Sequence, residues 1–500
     1  MKTTIQLLSI ALVCILSNFT TLNAQVATEK HIEFETGEGW FNYRVETFKN
    51  KGMLLLSQQE KSANWKVEAY SDDLVKGEDK TLTLPKGYYM RAEYTSDFDE
   101  NLLFSNKQSQ FIFYQIDPNT LELTKSTGVL PKKMNINWMV AQGDLAFVGL
   151  QNKKGPTLLK INIKDNKTTL IPINISPYDL NDLSIEKIQI LEGTGQVFVY
   201  INAYNKKDHN MYVLQIDESG EKEAMYNLSA TTDKKISSVS ASPLGDGEYI
   251  FTGTYSSKSS ASSEGMYIAS ANAGDIRFMK FYNFTDFQDF FSYLPKKKQE
   301  KIEKKKEKAE DKNKELSYNY YIAEHPIQKI GDVYMMVGEA YYPTYRTTTT
   351  TTYVNGKPTT TTTTVFDGYQ YTHASVAAFS MDGDKLWDKT FTMYPSYKPF
   401  SVKRFISINT TNDKIDLLFA SENSIRSFSV DVEGNVANER SVNLITETDD
   451  EEKVKRSSSN LTHWFDNYFI ASGYQTIKNS DEKIGNKKRS IFFINKITYE

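Results

Sequence analysis

The chain of 500 residues and 57.2 kDa is too long for one ordinary hydrophobic core, so it must form several domains or one large repetitive domain. Lysine and arginine number 59 against 63 aspartate and glutamate residues, and this near balance argues against an electrostatic nucleic-acid binder. Aromatic residues make up 13% of the chain, while its mean hydropathy is -0.51, which favours β structure with exposed loops.

The first residues have the layout of a secretory signal. Lys2 precedes an apolar run from Ile5 to Leu16, and a polar stretch follows that ends at Gln25. We expect residues 1–24 to be a signal peptide that is cleaved near Ala24. The apolar run is shorter than the roughly 18 residues of a membrane helix, so we expect no membrane span.

The mature chain, residues 25–500, is then expected to be exported to the periplasm, the cell surface or the extracellular space. The single cysteine, Cys14, lies within the predicted signal, so the mature chain would contain neither disulfides nor a cysteine nucleophile.

An apolar strand followed by a polar turn and an alternating strand recurs along the sequence. A repeat of this kind is the first feature to seek in a long chain. The apolar members are GMLLLS (52–57), NLLFSN (101–106), DLAFVGL (144–150), QVFVYIN (196–202), EYIFTGTY (248–255), DVYMMVG (332–338), KIDLLFA (414–420) and NYFIASG (467–473).

The spacing of the repeat favours a β-propeller. The turn residues Asp72, Asp117, Asp165, Asp217 and Asn272 follow one another at steps of 45 to 55 residues. That period suits a four-stranded blade, because further alternating runs flank each pair of strands.

The sequence thus predicts an all-β fold, an eight-bladed propeller with seven blades as the alternative, in one domain over residues 25–500. The eighth unit has only three strands, so we expect the alternating run His31 to Thr36 to complete it and close the ring. Two or three separate β-sandwiches of about 150 residues remain a competing interpretation.

Two insertions interrupt the sixth unit, over residues 285–318 and 343–366. Within the first, Pro295 to Leu316 is rich in lysine and glutamate at i,i+4 spacing, which predicts an exposed helix. Ile302, Ala309 and Leu316 recur every seven residues and form one narrow apolar seam. Such a helix is either a solvated spacer or a docking element for a partner.

The second insertion predicts a protruding two-stranded ribbon. Two runs of six threonines flank Asn355-Gly356, the dipeptide that favours a two-residue hairpin turn. In that register Val354 pairs with Lys357, Tyr353 faces Pro358, and threonine opposes threonine six times. The ribbon would project roughly 30 Å.

Both insertions are expected on one face of the propeller, because connections between blades and the loops joining a blade's second and third strands share a side. Aromatic residues at the blade junctions could form a stacking surface there, or could pack between blades. The candidate binding residues are His325, Tyr341, Tyr342, Tyr345, Tyr369, Tyr371, His373 and Trp464.

The sequence contains no motif that assigns a reaction. Its five histidines lack HxxH or HExxH spacing, and no G-x-S-x-G elbow, Walker loop or G-x-G-x-x-G fingerprint occurs. The turns Asp382-Gly383-Asp384 and Asp431 to Gly434 do not continue into calcium loops. We therefore expect no catalytic residue, metal or cofactor.

Three segments carry a resemblance to a known group of proteins. The Asn-Ala-Gln signal end, the segment Val365 to His373 and the phrase Ser380-Met381-Asp382-Gly383-Asp384-Lys385-Leu386-Trp387 resemble secreted β-propeller-like proteins of Bacteroidetes with no established activity. The last phrase also resembles a repeat of quinoprotein-like propellers, in which the turn and the tryptophan dock adjacent blades. This resemblance implies an architecture rather than a reaction.

These observations favour an exported, monomeric propeller without catalysis, which binds a protein, peptide or glycan on the face that carries both insertions. No nucleic acid is expected among its partners. The alternative is a carbohydrate-active enzyme with carboxylates at the channel mouth, for which a pair of carboxylates about 5 to 10 Å apart would be the sign.

Overall fold

The computed structural model describes residues 26–499 except 37–39, 192–193, 206–207, 258–261, 355–356, 396, 412, 422–423, 444–451 and 480–487. The predicted signal peptide and the Asn355-Gly356 turn lie outside the described residues.

The described residues form eight antiparallel sheets, numbered here in chain order. Sheet 1 contains β2 (Trp40–Thr47), β3 (Met53–Gln59), β4 (Trp65–Tyr70) and β5 (Lys76–Leu82); sheet 2 contains β6 (Tyr89–Thr95), β7 (Glu100–Ser105), β8 (Gln110–Ile116) and β9 (Leu123–Val129); sheet 3 contains β10 (Asn135–Gln142), β11 (Leu145–Asn152), β12 (Gly155–Asn162) and β13 (Lys167–Pro172); sheet 4 contains β14 (Leu183–Ile190), β15 (Val197–Asn205), β16 (Asp208–Ile216) and β17 (Lys222–Asn227).

The second half of the chain follows the same plan. Sheet 5 contains β18 (Lys235–Ile236), β19 (Ser240–Gly245), β20 (Glu248–Ser256), β21 (Gly265–Asn272) and β22 (Asp275–Asn283); sheet 6 contains β23 (Tyr321–Glu324), β24 (Gln328–Ile330), β25 (Val333–Val354), β26 (Lys357–Ser380) and β27 (Lys385–Thr392); sheet 7 contains β28 (Ile406–Thr410), β29 (Lys414–Ser421), β30 (Ser424–Asp431) and β31 (Val436–Asn443); sheet 8 contains β32 (Glu452–His463), β33 (Tyr468–Asn479), β34 (Lys488–Tyr499) and β1 (Val26–Glu35).

The eight apolar phrases of the repeat lie in the second strands of the sheets, and each is a strand as predicted. In sheet 3, residues 146–150 of β11 are buried without a break, whereas most of β13 is exposed. A strand with neighbouring sheets on both faces requires apolar side chains at every position, while a rim strand does not. The continuous apolar runs therefore mark the strands between packed sheets.

Consecutive sheets are held together by eight clusters of buried apolar side chains. Each cluster draws residues from two successive sheets, and one of them joins Ile470 and Ile494 of sheet 8 to Met53 and Leu55 of sheet 1. Burial of one such side chain contributes on the order of 2 kcal/mol. The sheets consequently pack face to face in chain order.

The N-terminal strand pairs with the C-terminal strand. In the β1–β34 ladder Ile32 lies opposite Ile494 and Phe34 opposite Phe492, and the Phe34 ring stacks on Tyr43 of sheet 1 at 6.2 Å between centroids. The two ends of the described chain are thus neighbours, which leaves β34 without an open edge over these residues.

Trp387 of β27 contacts the neighbouring sheet. Its indole N–H donates to the carbonyl of Val432 at 2.8 Å, and a Cβ added at Gly434 would lie 2.8 Å from the indole ring. Gly434 has a φ of +87°, so this turn requires glycine both for its backbone and for the approach of the tryptophan. The Ser380 to Trp387 phrase therefore ends in a contact between sheets 6 and 7.

The first insertion contains the predicted helix, α1 (Lys296–Glu310), which is shorter than expected. Leu316 does not lie on it, because Asn313 takes a left-handed conformation and the N–H of Lys314 donates to the carbonyl of Ala309. Ile302 packs against an aromatic cluster at the base of the helix, and most of the helix is exposed. Short 3-10 helices lie at Leu180–Asp182 and Phe284–Asp286.

The second insertion is the outer half of the β25–β26 hairpin. Val354 pairs with Lys357, Tyr353 with Pro358, and the six threonines 347–352 with the six threonines 359–364, as predicted. The threonine side chains are exposed on both strands. Register shifts lie where the ribbon leaves the body of sheet 6, at Ala340/Tyr341 and Pro343/Tyr345.

Candidate functional site

Both insertions leave sheet 6 at the same end. The first insertion leads into β23, whose first residue, Tyr321, pairs with Tyr341 of β25. Tyr341 is the position from which β25 runs outward into the threonine ribbon. We call this end of the sheets the insertion face.

Aromatic rings form a continuous row from the core of sheet 6 to this face. The Tyr371 and Tyr341 centroids are 5.2 Å apart, those of Tyr341 and Tyr369 are 5.1 Å apart, and those of Tyr369 and Phe366 are 5.0 Å apart. Tyr371 is fully buried, and burial raises the pKa of Tyr341 to about 12. The structure thus brings three of the predicted site residues together, with Phe366 as an addition.

The outer end of the row is exposed. Phe366 contacts Tyr345 and Phe400 at 5.9 and 6.0 Å between centroids, and these two side chains are 63% and 74% exposed. Tyr345, Phe366, Tyr369 and Phe400 are named here the aromatic platform. Large exposed aromatic side chains that lie together mark an interaction surface more often than isolated ones do.

Charged and polar groups border the platform. Asp367 forms ion pairs with Arg346 at 3.7 Å and Lys398 at 3.2 Å, and the hydroxyl of Thr344 donates to the carbonyl of Gly368. Tyr342, another predicted site residue, is 48% exposed on the adjoining strand. An apolar centre with a polar rim is the composition of a recognition surface.

His325 lies in the interior rather than on this surface. Its Nε2 is 2.7 Å from a carboxylate oxygen of Glu339, which is fully buried. The same carboxylate accepts hydrogen bonds from the backbone N–H groups of Phe405 and Ile406 at 2.9 Å each. Glu339 therefore fastens the segment before β28 to sheet 6.

Tyr371 holds the same segment two residues earlier. Its hydroxyl accepts a hydrogen bond from the N–H of Lys403 at 3.0 Å and donates to the carbonyl of Lys403. Two of the predicted site residues thus hold residues 403–406 in place. Tyr371 does so directly, and His325 does so through Glu339.

His373 is buried among aromatic rings. It stacks on Tyr293 at 4.0 Å and meets Phe290 edge-on at 4.7 Å, and its Nδ1 is 2.9 Å from the hydroxyl of Thr372. Its Nε2 has no hydrogen-bond partner within the described residues. Burial lowers the pKa of His373 to about 3, so the ring is neutral at physiological pH.

Trp464 lies between other sheets. It is 2% exposed, its indole N–H donates to the carbonyl of Gly52 at 2.9 Å, and it packs in the cluster that joins sheet 8 to sheet 1. The structure therefore places Trp464 apart from the aromatic platform, in the packing position that was the alternative interpretation of the junction aromatics.

A cavity of about 1060 Å³ is bordered by all eight sheets. Each sheet contributes residues of its first or innermost strand, or a residue within two positions of the end of that strand. Its lining includes Lys49, Arg91, Glu93, Val140, Lys187, Ser240, Lys329, Arg404, Asn409 and His463. We call it the central cavity.

A second cavity of about 660 Å³ lies between sheets 1, 7 and 8. Its lining includes Tyr43, Arg44, Glu46, Tyr397, Lys403, Arg404, Phe405, Asn460 and Tyr474. We call it the side cavity. Arg404 borders both cavities, so it lies where they adjoin.

Two lysines at these cavities have weakened proton affinity. Burial lowers the pKa of Lys403 to about 8, and burial together with the charge of Arg404 lowers the pKa of Lys187 to about 8. The ammonium of Lys403 contacts the hydroxyl of Tyr397 at 2.8 Å and the side-chain oxygen of Asn460. Both lysines remain mostly charged at pH 7 but lose their charge within about two pH units above it.

A pair of carboxyl groups lies beside the side cavity. Glu46 and Glu100 both accept a hydrogen bond from the hydroxyl of Thr95, at 3.1 and 2.7 Å. Burial and the neighbouring charge of Glu46 raise the pKa of Glu100 to about 8, so it carries a proton at neutral pH. Glu100 is only 1% exposed and does not line the cavity, so this pair cannot flank a bond of a ligand held there.

Sequence reasoning did not identify Lys403, Arg404 or Phe400. They lie in the connection between β27 and β28, which has neither strand alternation nor a motif. Their closeness to Tyr397 in the sequence was the available signal. The residues that they contact in the structure, however, come from distant strands.

Comparisons with known proteins show distant likeness in fold. No protein-family model and no curated protein matches the sequence. Among solved structures, the polysaccharide lyase Uly1 is 9% identical, with 81% of this chain and 89% of that chain covered and a TM-score of 0.38. The Nup133 β-propeller domain of Vanderwaltozyma polyspora is 9% identical over 96% of this chain and all of that one, with a TM-score of 0.38.

A third solved structure, prolyl oligopeptidase B from Galerina marginata, is 8% identical with a TM-score of 0.40. The match covers 89% of this chain but only 56% of the peptidase. At these identities and scores, none of the three proteins bears on what this chain binds. The propeller-like description rests on the packed four-stranded sheets themselves.

Within the described ranges, no group of three or more histidine, cysteine, aspartate or glutamate side chains is placed to hold a metal ion. No helix in the part of the chain that the structure describes is long and apolar enough to cross a membrane.

Proposed function

We propose that this protein is an exported eight-bladed β-propeller, closed by its N-terminal strand, that binds a glycan on the insertion face without catalysis. Support for eight blades comes from the eight clusters between consecutive sheets and from the eight sheets that border the central cavity. The pairing of β1 with β34 supports the closure.

The aromatic platform carries the proposal of glycan binding. Its exposed rings offer flat apolar faces on which the C–H faces of sugar rings can stack, and the charged rim around Asp367 offers hydrogen bonds to hydroxyl groups. The rings contact one another down to buried Tyr371, so binding would order few side chains.

The absence of catalysis is supported by the positions of the carboxyl groups. The pair formed by Glu46 and Glu100 has one member out of reach of either cavity. Most glycoside hydrolases use two carboxyl groups that flank the bond.

Affinity electrophoresis through gels that contain a soluble polysaccharide tests the binding. Dextran, xylan and polygalacturonate serve as probes, and the variant Tyr345→Ala/Phe400→Ala removes the exposed rings. The matched control is Phe98→Ala/Tyr204→Ala, which removes two rings of similar exposure, 56% and 54%, from other sheets.

We expect at least one polysaccharide to retard the wild type and the control but not the platform variant. Equal migration of all three proteins in every gel would overturn the glycan assignment. Enrichment of peptides from a displayed library by the wild type but not by the platform variant would instead assign the platform to peptides. N-terminal sequencing of the secreted protein tests export, with cleavage expected near Ala24.

A further inference from the structure

The walls of the two cavities carry an excess of positive charge. Lys49, Arg91, Lys187, Lys329 and Arg404 line the central cavity with Glu93 as the one carboxylate among the described lining residues. The chain as a whole has a formal net charge of -4. The basic lining therefore opposes the overall charge and is a local feature of the cavities.

The side cavity repeats this pattern. Arg44, Lys403 and Arg404 line it against Glu46. Arg44 forms an ion pair with Glu93, and Lys49 forms one with Asp97 at 2.7 Å, so part of the positive charge is already neutralised.

Arg404 is one of the cations of these linings that form no ion pair within the described residues. It is exposed to the cavities and makes no hydrogen bond or ion pair in the described part of the chain, although the carboxylates of Glu339 and Glu324 attract it at longer range. A guanidinium group presents five N–H donors in a planar fork that matches a carboxylate in a bidentate arrangement.

The backbone on both sides of Arg404 is held in place. Tyr371 bonds to the N–H and carbonyl of Lys403, and buried Glu339 accepts from the N–H groups of Phe405 and Ile406. A cationic side chain carried on a fastened segment loses less conformational freedom on binding than one on a free loop.

The remaining lining of the side cavity suits a sugar rather than a bare anion. Tyr43, Tyr397 and Tyr474 provide ring faces and hydroxyl groups, and Asn460 and Ser458 provide hydrogen-bonding groups. Pockets for small ligands combine apolar and aromatic walls with a few placed polar groups in this way. Because Arg404 borders both cavities, a ligand at this point could extend from one cavity into the other.

We propose that the two cavities bind an acidic oligosaccharide, a chain of sugar rings that carry carboxylate groups, and that Arg404 binds one of these carboxylates. This inference rests on the proposed glycan-binding function and adds a second site with a different chemical requirement. The lowered pKa of Lys403 supports it, because a neighbouring anion would stabilise the charged form of a buried lysine.

Isothermal titration calorimetry with tetragalacturonate and with its methyl ester tests the inference. The ester keeps the sugar rings and removes the negative charges. The protein variants are Arg404→Gln, which removes the charge, Arg404→Lys, which keeps the charge without the planar fork, and Arg277→Gln, an exposed arginine outside both cavity linings. Citrate and sulfate are titrated as free anions.

We expect the acid to bind wild type and Arg277→Gln, with an affinity about ten- to a hundredfold lower for Arg404→Gln and an intermediate affinity for Arg404→Lys. We expect the ester to bind weakly to all of them. The affinity for the acid should fall between pH 7 and pH 9, as Lys403 and Lys187 lose their protons.

Equal affinities of the acid for wild type and Arg404→Gln would overturn the inference, and so would equal binding of acid and ester. Tight binding of citrate or sulfate with no binding of tetragalacturonate would overturn the sugar assignment. Binding of the ester that is lost in the platform variant and unchanged in Arg404→Gln would leave the proposed function standing while this inference fails. No binding of the acid or of the ester to any variant would overturn this inference, while the proposed function would still be decided by the polysaccharide gels.

Discussion

The hairpin formed by β25 and β26 is one continuous ladder whose two halves lie in different surroundings. Met335, Val337 and Ala377 of the inner half are buried against sheets 5 and 7, whereas the threonines of the outer half are exposed. The pairing is antiparallel throughout. Because an isolated two-stranded ribbon is marginally stable in water, packing rather than pairing must account for the stability of the inner half.

Among changes to this hairpin, we expect loss of the Glu339 carboxylate to lower the free energy of unfolding most. Glu339→Ala leaves the buried N–H groups of Phe405 and Ile406 without their acceptor, so we expect the free energy of unfolding to fall by about 3–5 kcal/mol. Urea denaturation measures it. Glu122→Ala, at an exposed turn, is the control and should change stability by less than about 0.5 kcal/mol. Similar values for the two variants would contradict the role of Glu339.

Gly338 of the inner half lacks room for a side chain. A Cβ there would lie 2.6 Å from Ile322 Cγ2 and 2.8 Å from Met266 Cε, so Gly338→Ala should cost about 1–3 kcal/mol through overpacking. Thermal unfolding of Gly338→Ala is compared with that of Thr349→Ala, a substitution at an exposed position of the outer half. If the alanine is accommodated at no cost, the inner half is packed less tightly than the structure indicates.

His373 should make stability depend on pH. Its pKa is about 3 in the folded protein against about 6.5 in the unfolded chain, so the unfolded chain binds the extra proton between these values. The free energy of unfolding should therefore fall by about 1.4 kcal/mol for each pH unit as the pH decreases through this window.

The variant His373→Phe should remove this contribution, which denaturation at pH 6.5, 5.5 and 4.5 would reveal as a difference from wild type. His209→Phe is the comparison, because His209 is only partly buried, and burial together with the charge of Lys235 lowers its pKa. Parallel pH profiles for wild type and His373→Phe would show that the folded protein accepts the proton.

Removal of the outer half of the hairpin should change the free energy of unfolding least. Replacement of residues 347–364 by Asn-Gly retains Tyr345 and Phe366 at the root and deletes the two threonine runs together with residues 353–358 between them. We expect a change below about 0.5 kcal/mol in the free energy of unfolding. A loss above about 2 kcal/mol would mean that the ribbon supports the sheets beneath it.

The register of the ribbon and the strands of the repeat were predictable because their signals are local. Asn355-Gly356 specifies a two-residue turn, and the Thr-to-Thr pairing follows by counting from it. Continuous apolar phrases such as 145–150 become strands between packed sheets because alternation does not apply where both faces are buried. The helix end was missed because Asn313 takes a left-handed conformation that the charge pattern does not reveal.

The candidate site was predictable only in part. The proximity of Tyr341, Tyr345, Tyr369 and Tyr371 was predictable because they share one hairpin, on which alternation sets their neighbours. The role of His325 depends on Glu339 and on a backbone segment some 80 residues further along the chain. The position of Trp464 depends on its hydrogen bond to Gly52 in the first sheet. Neither contact follows from a local sequence pattern.

The amino-acid sequence by itself determined the period of the strands, the two insertions and their common side, since each follows from residues close together in the chain. Only the tertiary structure decided that Arg404 borders two cavities with no hydrogen-bond or ion-pair partner among the described residues, because the charged residues around it come from strands far from it in the chain. Electrostatic energy depends on distance in space and on burial, and neither can be read from separation along a chain.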